Sequence, residues 1–165
     1  MAILIDGYNL LNATGVEGTG RGTELERARR GLLRFLASVL SPQECASTTI
    51  VFDAQNAPPG LPNQDSFAGM TILFSRGYAE ADDLLEELIA ADHAPRKLLV
   101  VSSDHRLHRA ARRRRATAID SENWIDQLES RSPAAPTARE LTRSDVEDKD
   151  SEHWLKEFSD IDVAA

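Results

Sequence analysis

The chain has 165 residues, 41% of them hydrophobic, and a net charge of −8, which suits one folded domain with a hydrophobic core. Its only cysteine, Cys45, excludes an internal disulfide and a cysteine-based zinc cluster. The apolar start at 1–5 is too short for a signal peptide, and no later stretch has the length and polarity of a membrane span. We therefore expect a cytoplasmic protein with no membrane partner.

Hydrophobic periodicity predicts strands that alternate with helices along the chain. Strands are predicted at 2–6, 48–52, 70–74, 97–101 and 117–119. Helices are predicted at 23–40, 80–91, 104–115 and 121–128. The segment 7–22 is rich in glycine and 57–62 is rich in proline, so both are predicted loops. The alternation predicts an α/β fold with a mostly parallel sheet and helices on both faces.

The composition changes after residue 131, so we interpret 1–131 as the folded domain and 132–165 as a tail. The tail holds nine acidic and four basic residues, a net charge of −5, and such a segment is predicted to be disordered. Its short apolar face, formed by Trp154, Leu155 and Phe158, is either docked on the domain or a motif that binds a protein partner. The rest of the chain carries only −3, which does not exclude a nucleic-acid partner.

Acidic residues cluster at the ends of predicted strands. Three of these strands end in an aspartate: Asp6, Asp53 and Asp104. Because the carboxyl ends of parallel strands share one edge of the sheet, where ligands bind, we expect these side chains to lie close together. Asp82 opens a predicted helix, and Glu86 lies one turn later on the same face. Asn9 adds an amide oxygen from the first loop.

This acidic set predicts a metal site. Clustered carboxylates repel one another unless a cation lies between them. Oxygen ligands without thiolates favour Mg²⁺ or Mn²⁺ over zinc, and such an ion can activate water to hydrolyse a phosphodiester. Each acid taken alone can also be a turn residue or a helix cap. The metal site is favoured because the acids occur together.

Several segments, in the correct order, resemble the YacP-like branch of NYN domains. They are Ile5-Asp6-Gly7-Tyr8-Asn9, Val51-Phe52-Asp53-Ala54, Phe74-Ser75-Arg76-Gly77, Ala81-Asp82-Asp83-Leu84-Leu85-Glu86 and Val101-Ser102-Ser103-Asp104. The resemblance covers about residues 1–128, and the tail matches nothing in it. It implies a PIN-like (Rossmann-like) fold and an endoribonuclease that cuts single-stranded RNA with Mg²⁺ or Mn²⁺. It also implies 5′-phosphate and 3′-hydroxyl products, and the ribosome as a partner.

The resemblance also implies roles for individual residues. The implied catalytic residues and metal ligands are Asp6, Asp82 and Asp104. Supporting roles, either as a further ligand or behind the ligands, fall to Asn9, Asp53 and Glu86. Ser103 is expected to orient a metal-bound carboxylate or water.

Arginines are the predicted contacts to the RNA backbone, since a guanidinium binds phosphate bidentately and in a salt-dependent way. They are Arg27, Arg29, Arg30 and Arg34 on the first long helix, Arg76 after the third strand, and Arg112, Arg113, Arg114 and Arg115. Solvated helix faces and complementation of a helix C-terminus remain open for them. Tyr8 is predicted either to stack on a base or to pack within the protein.

The sequence favours the nuclease over three other functions. An NYN domain that binds RNA or the ribosome without cutting is the main alternative, and the nearly complete acidic set disfavours it. A haloacid dehalogenase-type phosphatase needs an aspartate where this chain has Tyr8. A receiver domain needs a lysine at the end of a late strand, whereas Lys97 begins one.

Overall fold

The computed structural model describes residues 1–15, 23–54 and 63–147, with the backbone alone at 23 and 144–147. The strands in these residues are β1 (Ala2–Asp6), β2 (Thr48–Phe52), β3 (Gln64–Phe67), β4 (Met70–Phe74), β5 (Leu98–Val101) and β6 (Thr117–Ile119). The helices are α1 (Gly7–Ala13), α2 (Thr23–Val39), α3 (Pro42–Ala46), α4 (Ala81–Ala91), α5 (His105–Arg113), α6 (Ser121–Arg131) and α7 (Ala138–Glu147). None of the helices in the described ranges is long and apolar enough to cross a membrane.

The six strands form one sheet in the order β3-β4-β2-β1-β5-β6. All neighbours are parallel except β3 and β4, which are antiparallel. The chain proceeds from β1 to β2 and β4 on one side, and then crosses to β5 and β6 on the other. The carboxyl ends of β1 and β5 therefore flank the point where the winding reverses, which is where open α/β sheets bind ligands.

Helices cover both faces of the sheet, as predicted. Successive strand residues point to opposite faces, so Ile3 and Ile5 of β1 pack with α1, α2, α6 and α7. Leu4, between them, packs with α4 and α5 on the other face. The mostly parallel α/β fold predicted from the sequence is confirmed.

Helix α1 lies where the sequence predicted a loop over 7–22. A Cβ atom on Gly7 would lie 2.5 Å from the ring of Phe52 and 2.8 Å from the carbonyl oxygen of Val51. Glycine is therefore required here for close packing, and the chain enters a helix that buries Leu10 and Leu11. The other parts of the predicted loops, 16–22 and 57–62, lie outside the described residues.

Two further elements, α3 and β3, were not predicted. Ser41 and Pro42 end α2 as expected, but they also start α3, because Ser41 Oγ accepts a hydrogen bond from the backbone N–H of Glu44 at 3.1 Å. Strand β3 lies at the edge of the sheet, and the side chains of Gln64 to Ser66 are exposed. It therefore has no hydrophobic pattern from which a strand could be recognised.

Helix α7 corrects the predicted tail for residues 138–147. It packs closely against α2, where a Cβ atom on Gly31 would lie 2.6 Å from Thr142 Cα and 2.9 Å from the carbonyl oxygen of Leu141. Ala138 and Thr142 are fully buried, and the Thr142 hydroxyl donates to the carbonyl oxygen of Ala138 at 2.7 Å. Small residues make much of this contact, so the hydrophobic pattern was weak. The apolar face at 154–158 lies outside the described residues.

Candidate active site

Three aspartates from distant parts of the chain meet at the carboxyl edge of the sheet. Asp6 ends β1, Asp82 lies in the first turn of α4, and Asp104 is the N-cap residue of α5. The carboxyl groups of Asp82 and Asp104 lie close enough for one to donate a hydrogen bond to the other when protonated, and the charge of Asp6 acts on Asp82. The structure thus brings together the three residues predicted to be catalytic.

Asp6 is a buried carboxylate that contacts a buried hydroxyl. Its Oδ2 accepts a hydrogen bond from Ser102 Oγ at 3.0 Å. Burial raises the pKa of Asp6 from its ordinary 3.8 to about 6; the hydrogen bond from Ser102 and the nearby backbone N–H of Asn9 oppose this, and the charge of Asp104 adds to it. Ionised Asp6 is therefore unfavourable without a compensating positive charge.

Asp82 and Asp104 have opposite environments. Burial, the hydrogen bond to Asp104 and the nearby negative charges raise the pKa of Asp82 from 3.8 to about 7, against the charge of Arg106. The pKa of Asp104 is lowered, first because its Oδ1 accepts from the backbone N–H of Arg106 at 2.9 Å. Of the two carboxyl groups, that of Asp82 therefore takes up a proton more readily.

Of the two supporting roles predicted for Asn9, the structure favours a position behind the ligands over a further oxygen ligand. Its Oδ1 accepts from the backbone N–H of Ser103 at 2.9 Å and from Ser121 Oγ at 2.6 Å. Both acceptor positions of that oxygen are therefore occupied. The side chain ties α1 to the loop after β5 and to the start of α6, which makes Asn9 a positioning residue.

Ser102, and not Ser103, is the serine of this loop whose hydroxyl contacts Asp6. Ser103 Oγ donates to Glu122 Oε2 at 3.0 Å and accepts from the backbone N–H of Ser121 at 3.1 Å, so it contacts α6. Ser102 is fully buried, and its Oγ donates to Asp6 and accepts from the backbone N–H of Asp104 at 3.1 Å. The sequence signal for Ser102 was a small polar residue between a buried strand and a capping aspartate.

Glu86 lies on the predicted face of α4, but its carboxylate forms an ion pair with the guanidinium of Arg106. Arg106 Nε donates to Glu86 Oε1 at 2.8 Å, and Arg106 Nη2 donates to Glu86 Oε2 at 3.2 Å. The same guanidinium contacts Asp83 Oδ1 at 2.6 Å and Glu80 Oε2 at 3.3 Å. Arg106 was not identified from the sequence, because nothing distinguished it from the other arginines of its helix.

A cavity of about 550 Å³ adjoins the acidic cluster. Its lining residues are Asp6, Tyr8, Asn9, Asn12, Asp53, Ala79, Glu80, Ala81 and Asp82. Asp53 therefore lies at the same site as Asp6 and Asp82. The Tyr8 ring packs edge-on against Phe52, with centroids 5.1 Å apart, while it also forms part of the cavity wall.

A second cleft, of about 520 Å³, lies between α2, α6 and the segment before α7. It is lined by Phe35, Val39, Asp126, Glu129, Ser130, Ser132, Pro133, Ala135, Pro136 and Thr137. None of these is a predicted site residue, so the cavity beside Asp6 is the relevant one.

The predicted RNA-binding arginines of α2 and of the turn after β4 differ in exposure. Arg29 is buried, and its guanidinium lies over the rings of Phe52 and Phe74. It also donates to the Tyr8 hydroxyl oxygen at 3.3 Å, so its contacts are made within the protein. Arg76 is exposed in the turn after β4, at the edge of the sheet that carries the acids. The half-buried arginines along α2 are Arg27, Arg30 and Arg34.

The arginine run 112–115 is separated from the acidic cluster. Helix α5 begins beside Asp104 and has nine residues, a length of roughly 13 Å. It returns the chain to the amino end of β6, which is parallel to β5. Arg112, Arg113 and Arg114 therefore lie exposed near the opposite edge of the sheet, away from the acidic cluster.

The donor set suits a hard divalent cation in its chemistry. The three aspartates offer carboxylate oxygens. Burial, with repulsion between the negative charges as a smaller contribution, raises the pKa values of Asp6 and Asp82, and a bound cation would offset the cost of ionising them. Among the described residues no three acidic, histidine or cysteine side chains surround one point as they stand. Binding by all three aspartates therefore requires side-chain rotations.

A mostly parallel sheet with acids gathered at its carboxyl edge defines a PIN-like α/β fold. The family model for the YacP-like NYN domain matches residues 3–161, so the chain belongs to this family. The match extends beyond the residues 1–128 that carried the resemblance and includes most of the predicted tail. No curated protein matches the chain in sequence.

Two solved structures share the fold. The crystal structure of Rae1 (YacP) from Bacillus subtilis has a TM-score of 0.60 and 20% identity, covering 99% of this chain and 84% of that one. A tryptophan-to-leucine mutant of the same Bacillus subtilis protein has a TM-score of 0.56 and 22% identity, covering 100% of both chains. These similarities support the fold, and the family is a nuclease-type domain.

Proposed function

We propose that the chain is a Mg²⁺- or Mn²⁺-dependent endoribonuclease that hydrolyses single-stranded RNA in the cytoplasm. The observation that carries the proposal is the convergence of Asp6, Asp82 and Asp104, two of them with raised pKa values, beside an open polar cavity. Perturbed carboxylates in a cleft are typical of catalytic sites. Membership of a nuclease-type family supports the same chemistry.

The three aspartates would hold the ion, which when bound lowers the pKa of a water molecule and stabilises charge on the phosphate. Ser102 fixes Asp6 and the backbone of Asp104 at the same time, so two of these carboxylates have a defined separation before substrate binds. Tyr8 offers a ring at the cavity wall for a base. Arg76 is an exposed cation at the same edge, suited to a flanking phosphate.

The test is cleavage of labelled single-stranded RNA by the full chain with Mg²⁺, Mn²⁺ or EDTA. Asp6→Asn and Asp104→Asn should abolish metal-dependent cutting. Asp126→Asn, an exposed aspartate on α6, is the matched control and should cut like the wild type. Product ends should be 5′-phosphate and 3′-hydroxyl. Equal cutting by the Asp6→Asn variant would exclude this site.

RNA binding without cutting would instead favour a non-catalytic RNA-binding module or an enzyme active only on the ribosome. The same assay with ribosomes engaged on messenger RNA distinguishes these two. Cutting that appears only with ribosomes, and disappears in Asp6→Asn, would identify the ribosome as a required partner.

A further inference from the structure

We propose that Arg106 is a positioning residue that holds Asp82 and Asp104 at their working separation by clamping the start of α4 to the start of α5. This inference rests on the proposed nuclease function. Arg106 lies in the first turn of α5, two residues after Asp104. The hydrogen bonds of its side chain all go to α4 or to the residue that caps it, and these partners lie on either side of Asp82 in the sequence.

In the clamp, one guanidinium group binds the carboxylates of three different residues. The guanidinium contacts Glu80, the N-cap residue of α4, and then Asp83 and Glu86 within the helix. It makes four hydrogen bonds, including two to Glu86. A planar guanidinium with several donors fixes both distance and orientation, which the point charge of a lysine cannot do.

The clamp also distinguishes Arg106 from an RNA-binding arginine. All three nitrogens of its guanidinium are already engaged with carboxylates, so few donors remain for a phosphate. The side chain is 35% exposed, so solvent screens its ion pairs and limits what each of them contributes to the stability of the fold. We therefore expect Arg106 to affect the site more than the fold.

The backbone and the side chain of Arg106 each lead to one aspartate of the acidic cluster. The backbone N–H of Arg106 donates to Asp104 Oδ1 at 2.9 Å, while its side chain holds the helix that carries Asp82. One residue therefore orients the carboxylates of both Asp82 and Asp104. Residues that hold metal ligands in place typically change metal affinity or activity by about 10- to 100-fold when they are replaced.

The test compares Arg106→Gln, Arg106→Lys and the matched control Arg109→Gln in the full chain. Arg109 is exposed one turn later on α5, and its positive charge helps to lower the pKa of Asp104. Its replacement therefore also removes positive charge near the site. We expect Arg106→Gln to lower kcat and weaken Mn²⁺ binding by about 10- to 100-fold, with a small change in the KM for RNA. Arg106→Lys should not restore kcat, and Arg109→Gln should stay close to the wild type.

A second comparison removes the clamp from the other helix. Glu86→Ala should reproduce most of the loss, and combining it with Arg106→Gln should add little, because both changes break the same contact. If the two losses multiply, Glu86 acts independently of Arg106 and the clamp is excluded. Restoration of kcat by Arg106→Lys, or a kcat unchanged in Arg106→Gln, would also overturn the proposal.

Failure of the clamp can be separated from failure of the nuclease. Backbone amide exchange at the start of α4 should be faster in Arg106→Gln than in Arg109→Gln, with no metal or RNA present. If the wild type cuts no RNA, either free or engaged on ribosomes, the nuclease proposal fails, and amide exchange together with Mn²⁺ affinity still decides the clamp. Exchange and affinity unchanged in Arg106→Gln would then overturn it, while faster exchange with weaker Mn²⁺ binding would support it.

Discussion

Replacing Asp6 by asparagine should stabilise the metal-free protein above pH 6 while it abolishes activity. Asp6 is only 8% exposed, and burial raises its pKa from 3.8 to about 6. In the folded chain its ionisation is therefore opposed, whereas in the unfolded chain it is not. Asparagine keeps the shape of the side chain and an acceptor for Ser102 Oγ, but carries no charge.

The expected magnitude follows from the two pKa values. A tenfold difference in proton affinity corresponds to about 1.4 kcal/mol, so a rise from 3.8 to about 6 amounts to about 3 kcal/mol at most. Well below pH 4 Asp6 is protonated in both the folded and the unfolded chain, and its ionisation costs nothing. Above pH 6 it is ionised in both, and the full cost is present. The stability advantage of Asp6→Asn should therefore grow between about pH 4 and pH 6 and then level off.

Urea unfolding in EDTA, from pH 4 to pH 8, measures this difference. Tryptophan fluorescence reports on the core, since Trp124 is buried. The exposed control Asp126→Asn should show no such pH dependence. If the difference in the free energy of unfolding between wild type and Asp6→Asn stays constant across this pH range, the pKa of Asp6 is not raised in the folded chain and the reasoning is refuted. Added Mn²⁺ should stabilise the wild type and leave Asp6→Asn unchanged, because an ion that binds only the folded site shifts the unfolding equilibrium.

Three further predictions concern the site and its supports. Ser102→Ala removes a hydrogen bond that lowers the pKa of Asp6, so the acidic limb of the pH–rate profile should move to higher pH; a limb that stays in place would contradict this role of Ser102. The affinity for Mn²⁺, measured by isothermal titration calorimetry, should increase as the pH rises through 7. The reason is that the ion competes with the proton of Asp82, whose pKa is about 7. An affinity independent of pH would argue against Asp82 as a ligand. Gly31→Ala should lower the free energy of unfolding in urea by about 1–3 kcal/mol, because the new Cβ would lie 2.6 Å from Thr142 Cα; a neutral effect would show that α7 does not pack closely here.

The fold class and the edge that carries the acids followed from local patterns. Apolar runs at 48–52 and 98–101 identify buried strands without knowledge of their partners, because burial on both faces leaves a continuous hydrophobic stretch. The rule that parallel strands share a carboxyl edge then predicts that Asp6 and Asp104 are neighbours. Patterns failed where small or polar residues make the element, as in α7 and the edge strand β3.

The partners of each polar side chain depended on contacts between distant residues. Sequence spacing predicted that Asp82 and Glu86 share a face of α4, yet Arg106 binds Glu86 while Asp82 contacts Asp104. Similarly, which of the two adjacent serines after β5 contacts Asp6 depends on the direction of each side chain at the strand end. Periodicity places residues on faces and edges, but hydrogen-bond partners and pKa values arise from the three-dimensional packing of chain segments far apart in sequence.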